Sequence, residues 1–274
     1  MGRTPQASRR ARLRASRPEE AVMMGSTGML NVDDGGVGGL PVVFVHSSAG
    51  NTTHWAAQLS YLRERRRALA LDLRGHGKSE LPRDGGFAVE DFARDVGTVV
   101  DGLGLQRFVL VGHSLGGAVC VAYAGAQPDR VAGLFLLDPA SDGRSMPAEQ
   151  ARGLMAVLAT EAWSAVVEEA WSPMLAPSRP EVRERILSEM RATSQEGVRG
   201  GLGALLDFDP VTPLRRYSGP RLSVVTAFNE EPGSYHHLVP ELPHAKVEGT
   251  GHWVQLDAPD EVNRLLDGFL ATVR

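Results

Sequence analysis

Cysteine is almost missing from this chain. Cys120 is the single one in 274 residues, so no disulfide can form within it, which fits a reducing compartment. Long apolar runs are missing too. None reaches the roughly 20 residues that a bilayer-spanning helix needs, so a cytoplasmic chain without a membrane partner is expected. The histidines show no paired metal-ligand spacing on a helix, and no metal or other cofactor is implied. Outside the first 24 residues positive charge is outnumbered by negative. The net charge is -4, yet residues 1–24 hold six arginines against Glu19 and Glu20, leaving an acidic body. An acidic body disfavours a nucleic-acid partner. The basic leader has few large apolar residues to pack and reads as disordered. It lacks the apolar stretch of a secretory signal, and none follows the Arg9-Arg10 pair. Internal repeats are absent.

What is present is alternation. Hydrophobic residues make up 42% of the chain and charged residues 23%, ordinary for a globular enzyme. From about residue 40, short runs rich in β-branched residues alternate with helical patterns. Residues 41–45, 68–73, 108–111 and 131–137 read as strands buried on both faces. Between them, 90–103 and the stripe Leu115, Ala118, Val119, Ala122, Tyr123 and Ala126 read as helices. Residues 141–216 break the rhythm, with helical patterns punctuated by Pro173, Pro177 and Pro180. Alternation resumes with strands at 222–228 and 246–248 and a last amphipathic helix through Val262, Leu266 and Phe269. The pattern predicts an α/β fold, a mostly parallel sheet with helices on both faces. The expected domains are a leader at 1–24, a core of 25–140 and 217–274, and a helical cap at 141–216 inserted after the sixth core strand. Ligands of such sheets bind at the carboxyl ends of the strands, where a cap shapes the pocket.

Gly112-His113-Ser114-Leu115-Gly116 fits G-x-S-x-G. Alone, such a pattern arises by chance in on the order of one chain in ten of this size. Its setting is more specific: it directly follows a buried strand and opens a helix, as a nucleophile elbow requires. The turn is sharp, so a Cβ at either glycine would crowd it. The plain alternative is a Gly-rich helix start with a capping serine. A serine nucleophile needs a base. His252, in Gly251-His252-Trp253 between the last short strand and the last helix, lies at the same end of a parallel sheet. The oxyanion donors are expected to be the backbone N–H of Leu115 and that of Ser48, in the loop His46-Ser47-Ser48-Ala49-Gly50. Ser47, His113, Trp163 and Trp253 are the candidate substrate contacts. The cap side chains Trp163, Trp171, Leu154, Met155 and Met174 could equally pack the cap on the core.

These pieces, with Asp72-Leu73-Arg74-Gly75-His76-Gly77-Lys78-Ser79, make the chain resemble the α/β-hydrolase fold superfamily over 40–272, in its serine-nucleophile, helically capped form. The resemblance implies a hydrolase of the esterase or lactonase kind, acting on a small-molecule substrate as monomer or homodimer. Aspartate-nucleophile dehalogenases and epoxide hydrolases are set aside by Ser114. The family places its acid just after the strand read at 222–228, where this chain has Ala227-Phe228-Asn229-Glu230-Glu231 and no Asp. Glu230 is therefore the preferred acid, with Asp138, at the end of the preceding core strand, as the alternative. Two further readings stay open. His252-Trp253 is similar to carbon–carbon bond hydrolases of ring-cleavage products, for which Arg179, Arg183, Arg185 or Arg191 would be the cap arginine. A ligand-binding protein without turnover would share the same fold.

Overall fold

A computed structural model describes residues 19–25 and 28–273. The strands are β1 (Glu19–Gly25), β2 (Gly28–Gly35), β3 (Val42–Val45), β4 (Ala68–Leu71), β5 (Phe108–His113), β6 (Val131–Leu137), β7 (Arg221–Val225) and β8 (His244–Lys246). They form one eight-stranded sheet in the order β1-β2-β4-β3-β5-β6-β7-β8. Only the β1–β2 and β2–β4 pairs are antiparallel; every other pair is parallel.

The helices are α1 (Ala56–Arg63), α2 (Val89–Gly102), α3 (Leu115–Ala126), α4 (Ala148–Val157), α5 (Trp163–Leu175), α6 (Pro180–Ala192), α7 (Gln195–Asp207), α8 (Val211–Arg216), α9 (Tyr235–Leu238), α10 (Val254–Asp257) and α11 (Pro259–Leu270). Side chains of a strand point alternately to its two faces, and β3 shows the consequence. Val43 and Val45 join one cluster with Phe92 and Val96 of α2 and Val119 of α3. Val42 and Phe44 join another with Leu59 of α1 and Leu266 of α11. All four residues of β3 are fully buried, which is why it carries no polar alternation. Each such side chain contributes roughly 1.5–3 kcal/mol.

A third cluster stands apart, formed by Leu158, Val167, Trp171, Leu175, Ile186 and their neighbours in the cap. It meets the core through Ala49 and Trp253, so these helices pack on the loop after β3 and on the segment that opens α10.

Several boundaries differ from the sequence reading. The leader was expected to run to 24, but Glu19–Gly25 is a strand laid against β2, and 1–18 lies outside the described residues. β2, with its short Leu30 and Val32 alternation, was not anticipated. At the other end, α8 does not belong to the cap expected to reach 216. Its Leu214, with Phe208, packs in the same cluster as α2 and α3. The strand expected at 222–228 stops at Val225, because Thr226 starts a short 3-10 turn by accepting from the Phe228 N–H.

Candidate active site

β5 runs into the elbow and α3 runs out of it. Ser114 sits between them at φ 52° and ψ -117°, a left-handed conformation that a residue with a side chain adopts only under constraint. The constraint is visible in the flanking glycines. A Cβ on Gly112 would lie 2.2 Å from the Gly116 carbonyl oxygen, and one on Gly116 would lie 2.3 Å from the Val45 carbonyl oxygen. Both obstacles are backbone, so β5, α3 and β3 approach this closely only because neither position carries a side chain. Three non-glycine residues have positive φ among the described residues: Ser114, Asp138 and Ala49. They stand at the ends of β5 and β6 and in the loop after β3, so the strained backbone gathers at one end of the sheet.

Asp138 directly follows β6 and is completely buried. Its N–H donates to the Val224 carbonyl at 2.7 Å. One carboxylate oxygen accepts from the Thr226 N–H at 2.7 Å, and the other accepts from the Thr226 hydroxyl at 2.9 Å. That second oxygen also meets His252 Nδ1 at 2.6 Å. An ionised carboxylate only accepts, so Nδ1 carries the proton and Nε2 is left as the basic nitrogen.

The preference for Glu230 as the acid is therefore corrected. Glu230 is exposed and faces Lys246 Nζ at 2.8 Å, and that hydrogen bond and charge hold its carboxyl below the usual range. The turn Ala227–Asn229 explains the outcome. It directs Asn229 inward, where its side-chain amide donates to the Pro139 carbonyl at 2.6 Å, and sends Glu230 outward. Meanwhile the strand end at Asp138 already lies under His252.

His252 is held from both sides. Its N–H donates to the Met174 carbonyl of the cap at 3.1 Å, and its carbonyl accepts from His113 Nε2 at 2.9 Å. Gln255 donates to the other nitrogen of His113 at 3.1 Å, which sets that tautomer. His113 is buried behind the His252 ring, 4.6 Å between centroids, and does not line the cavity. Burial, then the nearby His252, pushes its pKa well below the ordinary histidine value, so it stays neutral. It is a positioning group, not the substrate contact expected.

Ser114 and His252 line one cavity of about 270 Å³, with Ser47, Ser48 and Trp253 beside them. Trp163 is a second correction: it packs half-buried against the cap cluster, and Trp171, two turns along the same helix, lines the cavity in its place. The hydroxyls of Ser47 and Ser48 are buried without a protein partner. Leu115 is the first residue of α3, where a helix leaves its N–H groups without intrahelical acceptors. Neither its N–H nor that of Ser48 bonds to another group among the described residues.

The remaining motif residues turn out to be supports. His46 accepts from the Leu73 N–H at 2.9 Å and donates to the Ser47 carbonyl at 2.7 Å, tying the β3 loop to the β4 loop. Asp72 accepts from the N–H of Thr52 at 2.6 Å, from that of Lys78 at 2.8 Å and from Asn31 at 2.9 Å. Arg74 forms a buried pair with Asp95 at 2.6 Å. Sequence reasoning missed Phe228, whose ring lies 5.8 Å from that of His252, and the α7 leucines Leu202, Leu205 and Leu206 that line the cavity. The only signal for the leucines was an apolar run in an otherwise Gly-rich segment.

A larger groove of about 620 Å³ runs along α4, α7 and the start of α2, but it excludes Ser114 and His252. Glu230, His236 and His237 bring potential metal-ligating atoms within 4.8 Å of one another, although Lys246 already engages Glu230. No helix among the described residues is long and apolar enough to cross a membrane.

A buried carboxylate, an oriented imidazole and a serine on a strained strand-to-helix turn thus gather at one end of a mostly parallel sheet. The family model for the alpha/beta hydrolase fold matches residues 41–259, and the chain belongs to that family. It is 29% identical over 240 residues to the dihydrolipoyllysine-residue acetyltransferase component of the acetoin cleaving system from Pseudomonas putida, covering 86% of this chain and 65% of that one. It is 37% identical over 110 residues to a 2-hydroxy-6-oxo-2,4-heptadienoate hydrolase from Pseudomonas putida, 39% of this chain and 40% of the relative. The chain thus spans less than two thirds of either curated relative. Among solved structures it is similar to a thermophilic esterase from Thermogutta terrifontis, with a TM-score of 0.80, 26% identity, and 92% and 98% of the two chains covered.

Proposed function

We propose that this chain is a serine hydrolase that cleaves an ester, thioester or lactone of small to medium size through an acyl-enzyme on Ser114. The observation that carries the reading is His252, paired with the buried Asp138 at 2.6 Å and lining the same cavity as a strained Ser114. In the first step Ser114 Oγ attacks the carbonyl carbon while His252 Nε2 takes its proton. The developing oxyanion is held by the N–H groups of Ser48 and Leu115, and the latter also stands at the positive end of α3. The tetrahedral adduct collapses, the carbon–oxygen or carbon–sulfur bond breaks, and His252 returns the proton to the leaving group. Water then attacks the acyl carbon with His252 as base, releasing the acid and regenerating the serine. Asp138 orients the ring and stabilises its charge in both steps. The resemblance to the Thermogutta terrifontis esterase supports the ester class.

Carbon–carbon bond hydrolysis has a relative in its favour but not the cavity. Arg179 engages the Leu256 carbonyl and Glu181, Arg185 engages Glu189, and Arg191 engages Glu168. None of these arginines, nor Arg183, lines the cavity beside Ser114. The test is direct. Wild type is expected to hydrolyse p-nitrophenyl butyrate and to be labelled at Ser114 by a fluorophosphonate, and Ser114→Ala should lower kcat by about 10³-fold or more. Equal rates in the two proteins would overturn the reading. Tight ligand binding with neither turnover nor labelling would favour a binding protein.

A further inference from the structure

The charge around the reaction cavity is one-sided. Its walls are largely apolar, built by Trp171, Met174, Leu202, Leu205, Phe228 and Trp253. Among the described residues that line it, Glu231 is the one acidic side chain and there is no lysine or arginine. Glu231 is exposed and sits where the β7 loop meets the mouth. Unlike its neighbour Glu230, which Lys246 neutralises, it forms no ion pair among the described residues. The cation closest in sequence to the mouth is Arg144, between the lining residues Gly143 and Met146. It is occupied by Asp142 at 2.8 Å and Asp209 at 3.0 Å. Deeper in, the buried Asp138 carboxylate lies behind His252 at 2.6 Å and is a second acidic group on this side of the site.

Two effects follow for a substrate that carries a carboxylate of its own. Taking that group out of water into apolar walls without a cation is costly. The unpaired negative charge at the mouth then adds repulsion, which acts as a rejecting element. A neutral group meets neither penalty, and an amine or quaternary ammonium is attracted. The leaving alcohol takes its proton from His252, and Phe228, in the same loop as Glu231, lies 5.8 Å from the His252 ring, so Glu231 faces the alcohol side of a bound ester.

We propose that Glu231 is a specificity-determining residue, and that the site takes esters with an uncharged acyl group and a neutral or cationic alcohol, rejecting their carboxylate-bearing counterparts. This rests on the ester hydrolase reading above. The test uses three butanoate esters of similar size, made with neohexyl alcohol (neutral), choline (cationic) and hydroxypivalate (anionic), with the neopentyl ester as the neutral control for the branching of the last. Wild type is expected to show kcat/KM for the hydroxypivalate ester at least about tenfold below that for the neohexyl ester, with the choline ester at or above the neutral one. Glu231→Gln should narrow the choline-to-hydroxypivalate ratio about fivefold, and raised ionic strength should narrow it in wild type. Equal rates on the three esters, or a ratio that Glu231→Gln leaves unchanged, would overturn the proposal while leaving the hydrolase reading intact. If no ester is cleaved and no fluorophosphonate labels Ser114, the hydrolase reading fails, and this proposal with it.

Discussion

At the scale of single residues, the proposed chemistry turns on the pairing of His252. Asp138 is buried and shares its carboxylate between Thr226 and the His252 ring, whereas Glu230 faces solvent and Lys246. Asp138→Asn is expected to lower kcat by about 10³- to 10⁴-fold, because an amide either donates to Nδ1 and forces the wrong tautomer or fails to stabilise the imidazolium. Glu230→Gln should change kcat less than about twofold. Steady-state kinetics of the two variants side by side settle the assignment, and the opposite ranking would reverse it. That Ser114 and His252 come to one cavity was legible in the sequence, because each sits in a motif at a fixed place in the strand–helix rhythm. The acid was not. Its role depends on which of two strand ends, 88 residues apart between Asp138 and Thr226, comes to lie beneath the imidazole.

At the scale of elements, the cap and the catalytic loop are fastened by few groups. Asp257, at the end of α10, accepts from the Ser178 hydroxyl at 2.7 Å, from the Arg179 N–H at 3.0 Å and from the Gly251 N–H at 3.1 Å. One carboxylate thus ties the α5–α6 connection to the residue before His252. Asp257→Ala would leave several of these donors unpaired, and a loss of about 2–4 kcal/mol in stability is expected. A fall in kcat should accompany it, since Gly251 positions His252. Chemical denaturation and kinetics on the same variant check both. A second fastening joins α6 to the loop after β3. His54 Nε2 meets Glu189 at 2.5 Å, and Arg185 reaches both Glu189 and the Thr53 hydroxyl. Burial pushes the Glu189 carboxyl up, but His54 and Arg185 together hold it below its usual range. The sequence showed that 141–216 is helical. It did not show α8 turning away from the cap, because Leu214 looks the same whether it packs on α3 or on another cap helix.

At the scale of the whole molecule, three buried histidines make stability depend on pH. His46, His76 and His113 all have pKa values lowered by burial, with His76 adding to the effect on His46 and His252 on His113. For His76 the value falls from 6.5 to about 4. Above 6.5 both the folded and the unfolded chain hold these rings neutral, and stability is undiminished. As pH falls below 6.5 the unfolded chain takes up protons that the folded chain refuses, so stability is lost. The His76 share is about 3 kcal/mol and levels off near pH 4, and His46 and His113 act in the same direction. Urea denaturation from pH 7.5 down to 4.5 should show a steady fall in the midpoint, and a flat profile would contradict the burial of these rings.

The amino-acid order by itself determined the alternation of strands and helices, the sharp strand-to-helix turn at Ser114 and the helical run inserted after β6. Each of these is local. A run of β-branched residues, two glycines around a serine or a stripe at helical spacing acts through its immediate neighbours in the chain. The tertiary structure alone decided that Asp138 and not Glu230 meets His252, that Trp171 and not Trp163 faces the cavity, and that Glu231 is left unpaired at its mouth. Those outcomes turn on which side chain a turn or a helix face directs inward. That depends on the packing of segments far apart in sequence, where a difference of one residue in a turn exchanges an inward position for an outward one.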